Sequence, residues 1–259
     1  MGSAPTHRTA AAQGASGAAE RPTRVGPARR YLGPMPLKDD LLQRTVEQIA
    51  RALARLAGRV HDAEAASEVR GQLEDAYREH LGAGGDTIRR LSTDQLLGVL
   101  SSAGALDGDR AFVVAALLEL DAQVPGPDEA HRAALRMRAL ELYAEAGIVR
   151  VGQVDLPERV QRLRSALRDY QLPNPAFARL MRYLEADGRL SEAEDMLFEW
   201  LEDSGATRFL VAEGRAFYER LLARDDAELE AGQLPRTEVR EGIAAFEATC
   251  SAGSGPLPS

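Results

Sequence analysis

Four histidines and one cysteine are the side chains of this sequence best suited to bind a transition metal, but their spacing does not form a site. The histidines are dispersed along the chain, at His7, His61, His80 and His131. A zinc site needs three or four such ligands, usually in close pairs, and neither an H-E-x-x-H pair nor a second cysteine beside Cys250 occurs. A di-iron bundle needs E-x-x-H motifs, and the nearest approach is one D-x-x-H beginning at Asp128. We therefore predict no metal site.

Catalytic and phosphate-binding motifs are also missing from the sequence. A hydrolase of the common α/β type would show a G-x-S-x-G turn, which does not occur. The glycine-rich stretch Gly82–Asp86 lacks the Lys-Ser/Thr ending of a phosphate-binding loop. Glu185, Asp187 and Glu192 crowd one predicted turn, where capping and solvation explain acidic side chains. We predict no catalytic and no cofactor-binding residues, and an enzyme of a class without a sequence signature stays open as an alternative.

Composition and charge exclude some classes of binding partner and indicate where the protein is located. The chain has 259 residues, a net charge of −8 and no apolar run long enough to span a bilayer, so we expect a soluble protein that binds neither nucleic acid nor membrane. Lys38 is the only lysine among many arginines, which is typical of a GC-rich bacterial genome. The single cysteine excludes an intramolecular disulfide and fits a reducing cytoplasm.

Apolar periodicity and turn signals divide the chain into four predicted segments. Residues 1–34 are rich in Ala, Gly, Ser and Pro without apolar periodicity, which predicts a disordered tail or an extension from an upstream start codon with Met35 as the true start. Residues 35–124 form an N-terminal helical subdomain. The Val124–Pro127 sequence ends it, because two prolines around a glycine break a helix. Residues 125–248 form a second helical subdomain, and residues 249–259 a flexible C-terminal tail.

A regular apolar seam opens the predicted N-terminal subdomain. It consists of Leu42, Val46, Ile49, Leu53, Leu56 and Val60, spaced alternately by four and three residues. That spacing places the six side chains on one side of a helix, with Gln43 and Gln48 among the residues on the other faces. The seam is shorter than three heptads, so it can pack either on its own domain or against a second copy in a homodimer.

Several residues signal where helices begin and end. Capping boxes are predicted at Ser92 with Gln95 and at Ser191 with Glu194, and a further cap at Asp225–Glu228. Asp109 is predicted to cap the apolar helix 111–120, which we expect at the centre of the N-terminal half. Gly147 is predicted to end the long helix that begins near Asp128.

The segment from Asn174 to Ser204 predicts two antiparallel helices joined at Asp187-Gly188. Phe177, Leu180, Met181 and Leu184 form the apolar stripe of the first helix, after the helix-starting Pro175. Ala193, Met196, Leu197, Trp200 and Leu201 form the stripe of the second. Ala193 is small where the two helices would approach most closely.

This hairpin resembles a tetratricopeptide repeat, a 34-residue unit of two packed helices. The matching residues are Phe177, Leu180, Leu184, Gly188, Ala193 and Leu197. Three positions depart from the repeat: Met181 replaces a small residue, Trp200 an alanine and Gly205 the closing proline. Residues 128–170 and 206–248 have similar helix–turn–helix patterns. Composition and apolar periodicity predict an all-α protein of about nine to eleven helices, and the resemblance implies that its hairpins stack into a small solenoid.

Residues 35–248 also look similar to an uncharacterised bacterial family, a domain of unknown function. The resemblance is carried by three helix-pattern segments: LKDDLLQRTVEQIARALARL (37–56), DRAFVVAALLEL (109–120) and ERLLARDDAELEAGQLPRTEVREGI (219–243). None of them contains site chemistry, so this resemblance implies no activity.

These observations favour a non-catalytic scaffold for protein–protein interactions. If the repeat resemblance holds, Arg179, Arg182 and Glu185 on the first helix of the hairpin reach a groove that binds a protein or peptide partner. Arg182 could hold a carboxylate through two parallel hydrogen bonds. The alternatives are a self-assembling structural protein that uses the 42–60 seam, and the enzyme without a signature noted above.

Overall fold

The computed structural model describes residues 63–126, 128–149 and 155–253, together with Arg44 and Arg51. All of them belong to one compact unit, Leu37–Ser259. Eleven helices lie in the described ranges: α1 (Ala63–Leu81), α2 (Gly85–Ile88), α3 (Thr93–Leu100), α4 (Gly108–Asp121), α5 (Glu129–Val149), α6 (Leu156–Ala166), α7 (Asn174–Ala186), α8 (Leu190–Ser204), α9 (Arg208–Leu222), α10 (Asp226–Ala231) and α11 (Arg236–Gly253). The predicted all-α class is confirmed. No helix among these residues is both long and apolar enough to cross a membrane.

The apolar seam predicted at Leu42, Val46, Ile49, Leu53 and Leu56 lies outside the described residues, as does the predicted tail 1–34. Within the seam segment only Arg44 and Arg51 are described, and both are helical and exposed.

A small β-hairpin, which the sequence analysis missed, separates α3 from α4. β1 (Ser101–Ser102) pairs antiparallel with β2 (Ala105–Leu106). The two residues of its turn, Ala103 and Gly104, both have positive φ angles, of 51° and 81°. Such a turn matches the twist of the two strands. Strands of two residues leave no alternating pattern from which they could be predicted.

The capping box predicted at Ser92 and the cap predicted at Asp225 are both present. Ser92 and Gln95 cap α3 reciprocally, and Asp225 and Glu228 cap α10 in the same way. The predicted cap at Asp109 is wrong: Asp107 caps α4, and its Oδ1 accepts a hydrogen bond of 3.1 Å from the Arg110 amide. Because β2 ends at Leu106, the helix can begin two residues earlier than its apolar pattern indicates.

The capping box predicted at Ser191 and Glu194 is wrong. α8 begins at Leu190, and the Ser191 amide donates to the carbonyl oxygen of Gly232 over 3.1 Å. Leu190 is buried against Gly232, and a Cβ atom at residue 232 would collide with its side chain. Contact with the turn between α10 and α11 thus sets the start of α8 and removes Ser191 from the capping position.

Helix α4 is the centre of the first half of the described fold, as its apolar sequence predicts. Its residues from Val113 to Asp121 are all buried. It packs against α1 on one side and α5 on the other, and α5 packs in turn against α6 and α7. The boundary predicted after residue 124 therefore lies between α4 and α5, two helices in close contact, and the core continues across it.

Helix α5 does not end at Gly147, so that prediction is wrong. The helix continues to Val149, and Gly147 is buried inside its last turn. A Cβ atom there would collide with the Tyr183 ring of α7, with Leu156 Cδ2 only 2.8 Å away. The glycine allows close packing between helices rather than ending one.

The C-terminal helix extends further than predicted. α11 runs to Gly253, so residues 249–253 are helical although the sequence analysis assigned them to the tail. Cys250 is buried four residues after the buried Phe246, on the same side of the helix. A single small residue after Phe246 gives too weak a pattern to show that the helix continues.

Candidate interaction surface

Helix α7 carries the three residues that the sequence analysis predicts to bind a partner, and the α7–α8 hairpin holds it in place. The chain turns at Gly188, whose φ angle is +79°, as predicted. Trp200 of α8 stacks on Phe177 of α7, with ring centroids 6.0 Å apart, and its Nε1 donates to Asn174 Oδ1 over 2.8 Å. Trp200 thus fills the position where the repeat resemblance expects alanine, because Phe177 and Asn174 enclose its indole.

Arg179 lies between α7, α5 and the beginning of α3. Its Nη1 donates to Glu141 Oε1 over 2.7 Å and its Nε to Glu145 Oε1 over 3.0 Å, and Nη2 donates to Asp94. Only 11% of its side chain is exposed. Burial by itself would lower the pKa of Arg179, but the three carboxylates raise it overall. The guanidinium is therefore held as a cation and is engaged on all three of its nitrogen atoms.

Glu185, at the other end of α7, is equally engaged. Its carboxylate accepts hydrogen bonds from Arg220 of α9, at 2.9 Å from Nε and 2.7 Å from Nη2. Arg224 lies 3.6 Å away. Only 9% of the Glu185 side chain is exposed, so its contacts join α7 to α9.

Arg182 is the most exposed of the three predicted residues, with 47% of its side chain accessible. Its Nη2 donates to both carboxylate oxygens of Glu213 on α9, each over 2.8 Å. The structure thus places Arg179, Arg182 and Glu185 in three separate ion pairs along a row of helices α5, α7 and α9. Contact of these three residues with a partner stays a prediction.

Two further buried acids, which the sequence analysis did not single out, join helices in the same way. Glu119 of α4 accepts hydrogen bonds from Tyr143, over 2.9 Å, and from Arg162, over 2.7 Å. Asp121 accepts from Tyr77, over 3.1 Å, and from Arg89, over 2.7 Å. The sequence did contain one indication of these contacts, which is an acidic residue inside an apolar helix. A carboxylate in that position is buried, and a buried carboxylate needs hydrogen-bonding or cationic partners.

Burial changes the pKa of the two tyrosines that donate hydrogen bonds to these acids. Burial and the neighbouring carboxylate together raise the pKa of Tyr77 and that of Tyr143 well above the usual value. Both phenols therefore stay protonated near neutral pH and donate their hydrogen bonds to Asp121 and Glu119. These groups hold the helices together and do not meet in a common cleft.

A groove that the sequence analysis missed lies between α6, α8 and residues 167–172. Its volume is about 410 Å³. Leu167, Leu172 and Phe177 form its buried apolar floor, and the ring of Tyr170 is 37% exposed at its edge. Polar and charged side chains surround it: Arg164 pairs with Glu199 over 2.7 Å, and Arg168, Asp203 and Gln161 also belong to the lining.

Potential metal ligands do not converge in the described part of the chain. No group of three or more His, Cys, Asp or Glu side chains there is arranged to hold an ion.

The sequence contained one indication of the groove, which is Tyr170, an aromatic residue between a helix and the helix-ending Pro173. The groove around Tyr170 is formed by residues far apart in sequence, so its shape could not be predicted.

Comparison with known proteins identifies a family. No curated protein and no solved structure matches the chain. The match that does occur confirms the resemblance to a domain of unknown function, and it extends over most of the described helices. The model of DUF6483, a family of unknown function, matches residues 36–250, and the chain belongs to this family.

Proposed function

We propose that this protein is a non-catalytic cytoplasmic scaffold for protein–protein interactions, built from helical hairpins that stack in a manner similar to tetratricopeptide repeats. The observation that carries the proposal is the groove beside Tyr170. Its apolar floor and charged edge match the usual arrangement of protein interfaces, in which an apolar centre is surrounded by polar residues.

The side chains around the groove are of the types that contribute most to binding energy. Tyr and Arg are enriched among the residues whose truncation weakens complexes. Tyr170 is partly exposed at the groove, and Arg168 is 80% exposed, with Asp169 as its salt-bridge partner at 3.7 Å. A distance of 3.7 Å between two exposed charges is a weak interaction, so Arg168 can exchange Asp169 for an acid of a partner.

The chemistry of the groove suggests what the partner presents. The floor of Leu167, Leu172 and Phe177 accepts an apolar side chain, and the Tyr170 ring would cover it. Arg168 would pair with an acidic residue beside that side chain. We therefore propose a partner segment with an apolar residue next to a carboxylate.

The buried charges support a scaffold in a second way. Glu119, Asp121, Glu141 and Glu185 each form ion pairs with arginines of other helices. The oxygen atoms of these carboxylates are occupied by hydrogen bonds from the arginines. These acids therefore hold the helices in fixed positions, as a binding surface requires.

Site-specific photo-crosslinking in the source organism tests the proposal. A benzophenone amino acid would replace Tyr170, with Leu222 as the control position because its side chain is also partly exposed, at 44%, and does not line the groove. We expect a discrete adduct with another protein at position 170 and none at 222. Equal adducts at both positions, or adducts of the chain with itself alone, would contradict the proposal.

Two charge reversals locate the contact. Arg168→Glu should abolish the adduct at position 170, because the arginine would no longer attract the partner's acid. Arg182→Glu tests the face that the sequence predicts on α7. An adduct lost with Arg182→Glu and kept with Arg168→Glu would place the partner on α7 and overturn the assignment to the groove.

A further inference from the structure

A second cavity, separate from the groove, lies where the start of α3 meets α5 and the beginning of α7. Its volume is about 460 Å³. Four arginines line it, Arg89, Arg90, Arg138 and Arg179, against two acids, Asp94 and Glu141. Among the lining side chains arginines thus outnumber acids by four to two, in a protein whose net charge is −8. It shares no lining residue with the Tyr170 groove.

Two of the four arginines are already neutralised. Arg179 binds Asp94, Glu141 and Glu145, as described above. Arg89 donates to Asp121 over 2.7 Å and to Glu74 over 3.1 Å. Neither guanidinium needs a further anion, which leaves Arg90 and Arg138 as the lining arginines that can bind a ligand.

Arg138 has no carboxylate partner in the described part of the chain. Its Nη1 donates to the carbonyl oxygens of Arg89 and Leu91, the latter over 3.1 Å, and its Nε donates to the carbonyl of Ala134 over 3.1 Å. Burial lowers the pKa of Arg138, and the nearby Tyr77, Glu141 and Asp121 offset only part of this effect. The half-buried guanidinium therefore makes its hydrogen bonds to neutral carbonyl oxygens alone, while Glu141 and Asp121 act on it only from a distance.

Arg90 is exposed at the same cavity, and among the described residues no hydrogen bond or ion pair holds its side chain. Two guanidinium groups that line one cavity without acids of their own are the usual means by which proteins bind oxyanions. Two guanidinium groups match a dianion better than a single carboxylate.

We propose that the cavity beside Arg90 and Arg138 binds the phosphate group of a small phosphorylated molecule. Arg138, fixed by the backbone carbonyls, would form the rigid side of the site, and the exposed Arg90 would close over the phosphate. The cavity is open to solvent on one side, which leaves space for the organic group of a phosphate monoester. The site does not depend on the proposed protein partner.

Calorimetric titration of the full chain tests this site. The probes are glycerol phosphate, inorganic phosphate and acetate, at constant ionic strength and at a pH where phosphate is a dianion. We expect saturable binding of glycerol phosphate, weaker binding of inorganic phosphate and none of acetate. Absence of saturable binding to either phosphate, or equally tight binding of acetate, would overturn the proposal.

Paired variants assign the binding to this cavity. Arg90→Gln should weaken binding about tenfold, the loss expected for one hydrogen-bonded charge. The matched control is Arg240→Gln, because Arg240 is also exposed and without an ion-pair partner among the described residues. Arg90 supports no other side chain, so its variant should fold normally. Equal affinity in Arg90→Gln and the wild type would refute the assignment.

A variant that gains affinity excludes misfolding as the cause. Asp94→Asn removes one of the two acids of the cavity and releases an Arg179 nitrogen, so phosphate should bind several-fold more tightly. Asp94 is 79% exposed, and the change preserves its shape. Asp195→Asn, at another exposed aspartate, is the control and should leave the affinity unchanged. Weaker binding in Asp94→Asn would contradict the site.

Discussion

The Nη1 atom of Arg179 on α7 lies 2.7 Å from Oε1 of Glu141 on α5, and only 11% and 7% of the two side chains are exposed. The other oxygen of the same carboxylate accepts the hydroxyl hydrogen of Thr93 at the start of α3. One buried acid thus joins three helices. Since a carboxylate in this position is costly when it is unpaired, the arrangement holds the three helices in a single relative position.

Arg179→Ala should destabilise the protein strongly. Removal of the guanidinium leaves Glu141 buried without its cation, a change that costs about 3–5 kcal/mol in comparable ion pairs. Urea denaturation, followed by circular dichroism, would measure the free energy of unfolding. Arg182→Ala, one turn further along the same helix, is the matched control: the Arg182 side chain is 47% exposed, so loss of its pair with Glu213 should cost less, about 1 kcal/mol. Equal losses in the two variants would contradict the structural role of the Arg179 pair.

The helices were predictable from the sequence where the signal was local. The Ser92 capping box, the Asp187-Gly188 turn and the apolar helix after residue 110 each depend on residues within one or two turns. The predictions were wrong where contacts between residues far apart in sequence determine where a helix begins or ends. Gly147 has the sequence context of a helix end, but the ring of Tyr183, more than thirty residues later, packs against it within the helix.

The candidate sites were less predictable than the fold. The spacing of Arg179 and Glu185 placed both on α7, but it could not show that their ionic partners lie 38 and 35 residues away, at Glu141 and Arg220. The cavity beside Arg90 and Arg138 could not be predicted for the same reason. Arg90 and Arg138 are separated by two helices and a β-hairpin, and neither stands in a motif.

Gly147→Ala should lower stability although alanine favours helix. The added methyl group would collide with the Tyr183 ring and with Leu156, and such overpacking costs about 1–3 kcal/mol. Gly71→Ala provides the opposite control. Gly71 lies inside α1 with no atom near the added methyl group, so this change should stabilise the protein by about 0.5–1 kcal/mol. Thermal denaturation of the two variants should therefore shift the midpoint in opposite directions. A rise in both would show that α5 and α7 adapt readily around residue 147.

The 42–60 seam predicts that self-association depends on its apolar side chains. Replacing both Ile49 and Leu53 by Asp should convert an oligomer to a monomer while the helix content is retained, as measured by light scattering and circular dichroism. The control replaces Gln43 and Gln48 by Asp on the predicted polar faces, and should leave the oligomer unchanged. Global unfolding of the seam variant would instead assign Ile49 and Leu53 to the core of their own unit and exclude the homodimer.

Titration of Glu194 should make the stability of the protein depend on pH in a predictable direction. Burial raises the pKa of Glu194, repulsion from Asp195 and Glu238 adds to this effect, and the Tyr218 hydroxyl, which donates over 2.8 Å, opposes it only in part. An acid whose pKa is raised by folding contributes its full stability below its unfolded pKa of about 4.3, and loses that contribution as the pH rises through the folded pKa. Glu194→Gln should therefore exceed the wild type in stability at about pH 7.5 and converge with it below about pH 4.

The exposed pair of Glu247 and Arg215 predicts the opposite sign and serves as the control. Hydrogen bonds from Arg215 lower the pKa of Glu247, so this acid stabilises the fold above its unfolded pKa and loses that effect as the pH falls. Glu247→Gln should then be less stable than the wild type near neutral pH and equal to it in acid. Urea denaturation of both variants across this range separates a buried acid that opposes folding when it is charged from a paired acid that supports it. A Glu194→Gln curve parallel to that of the wild type would show that the carboxyl titrates alike in the folded and unfolded chains.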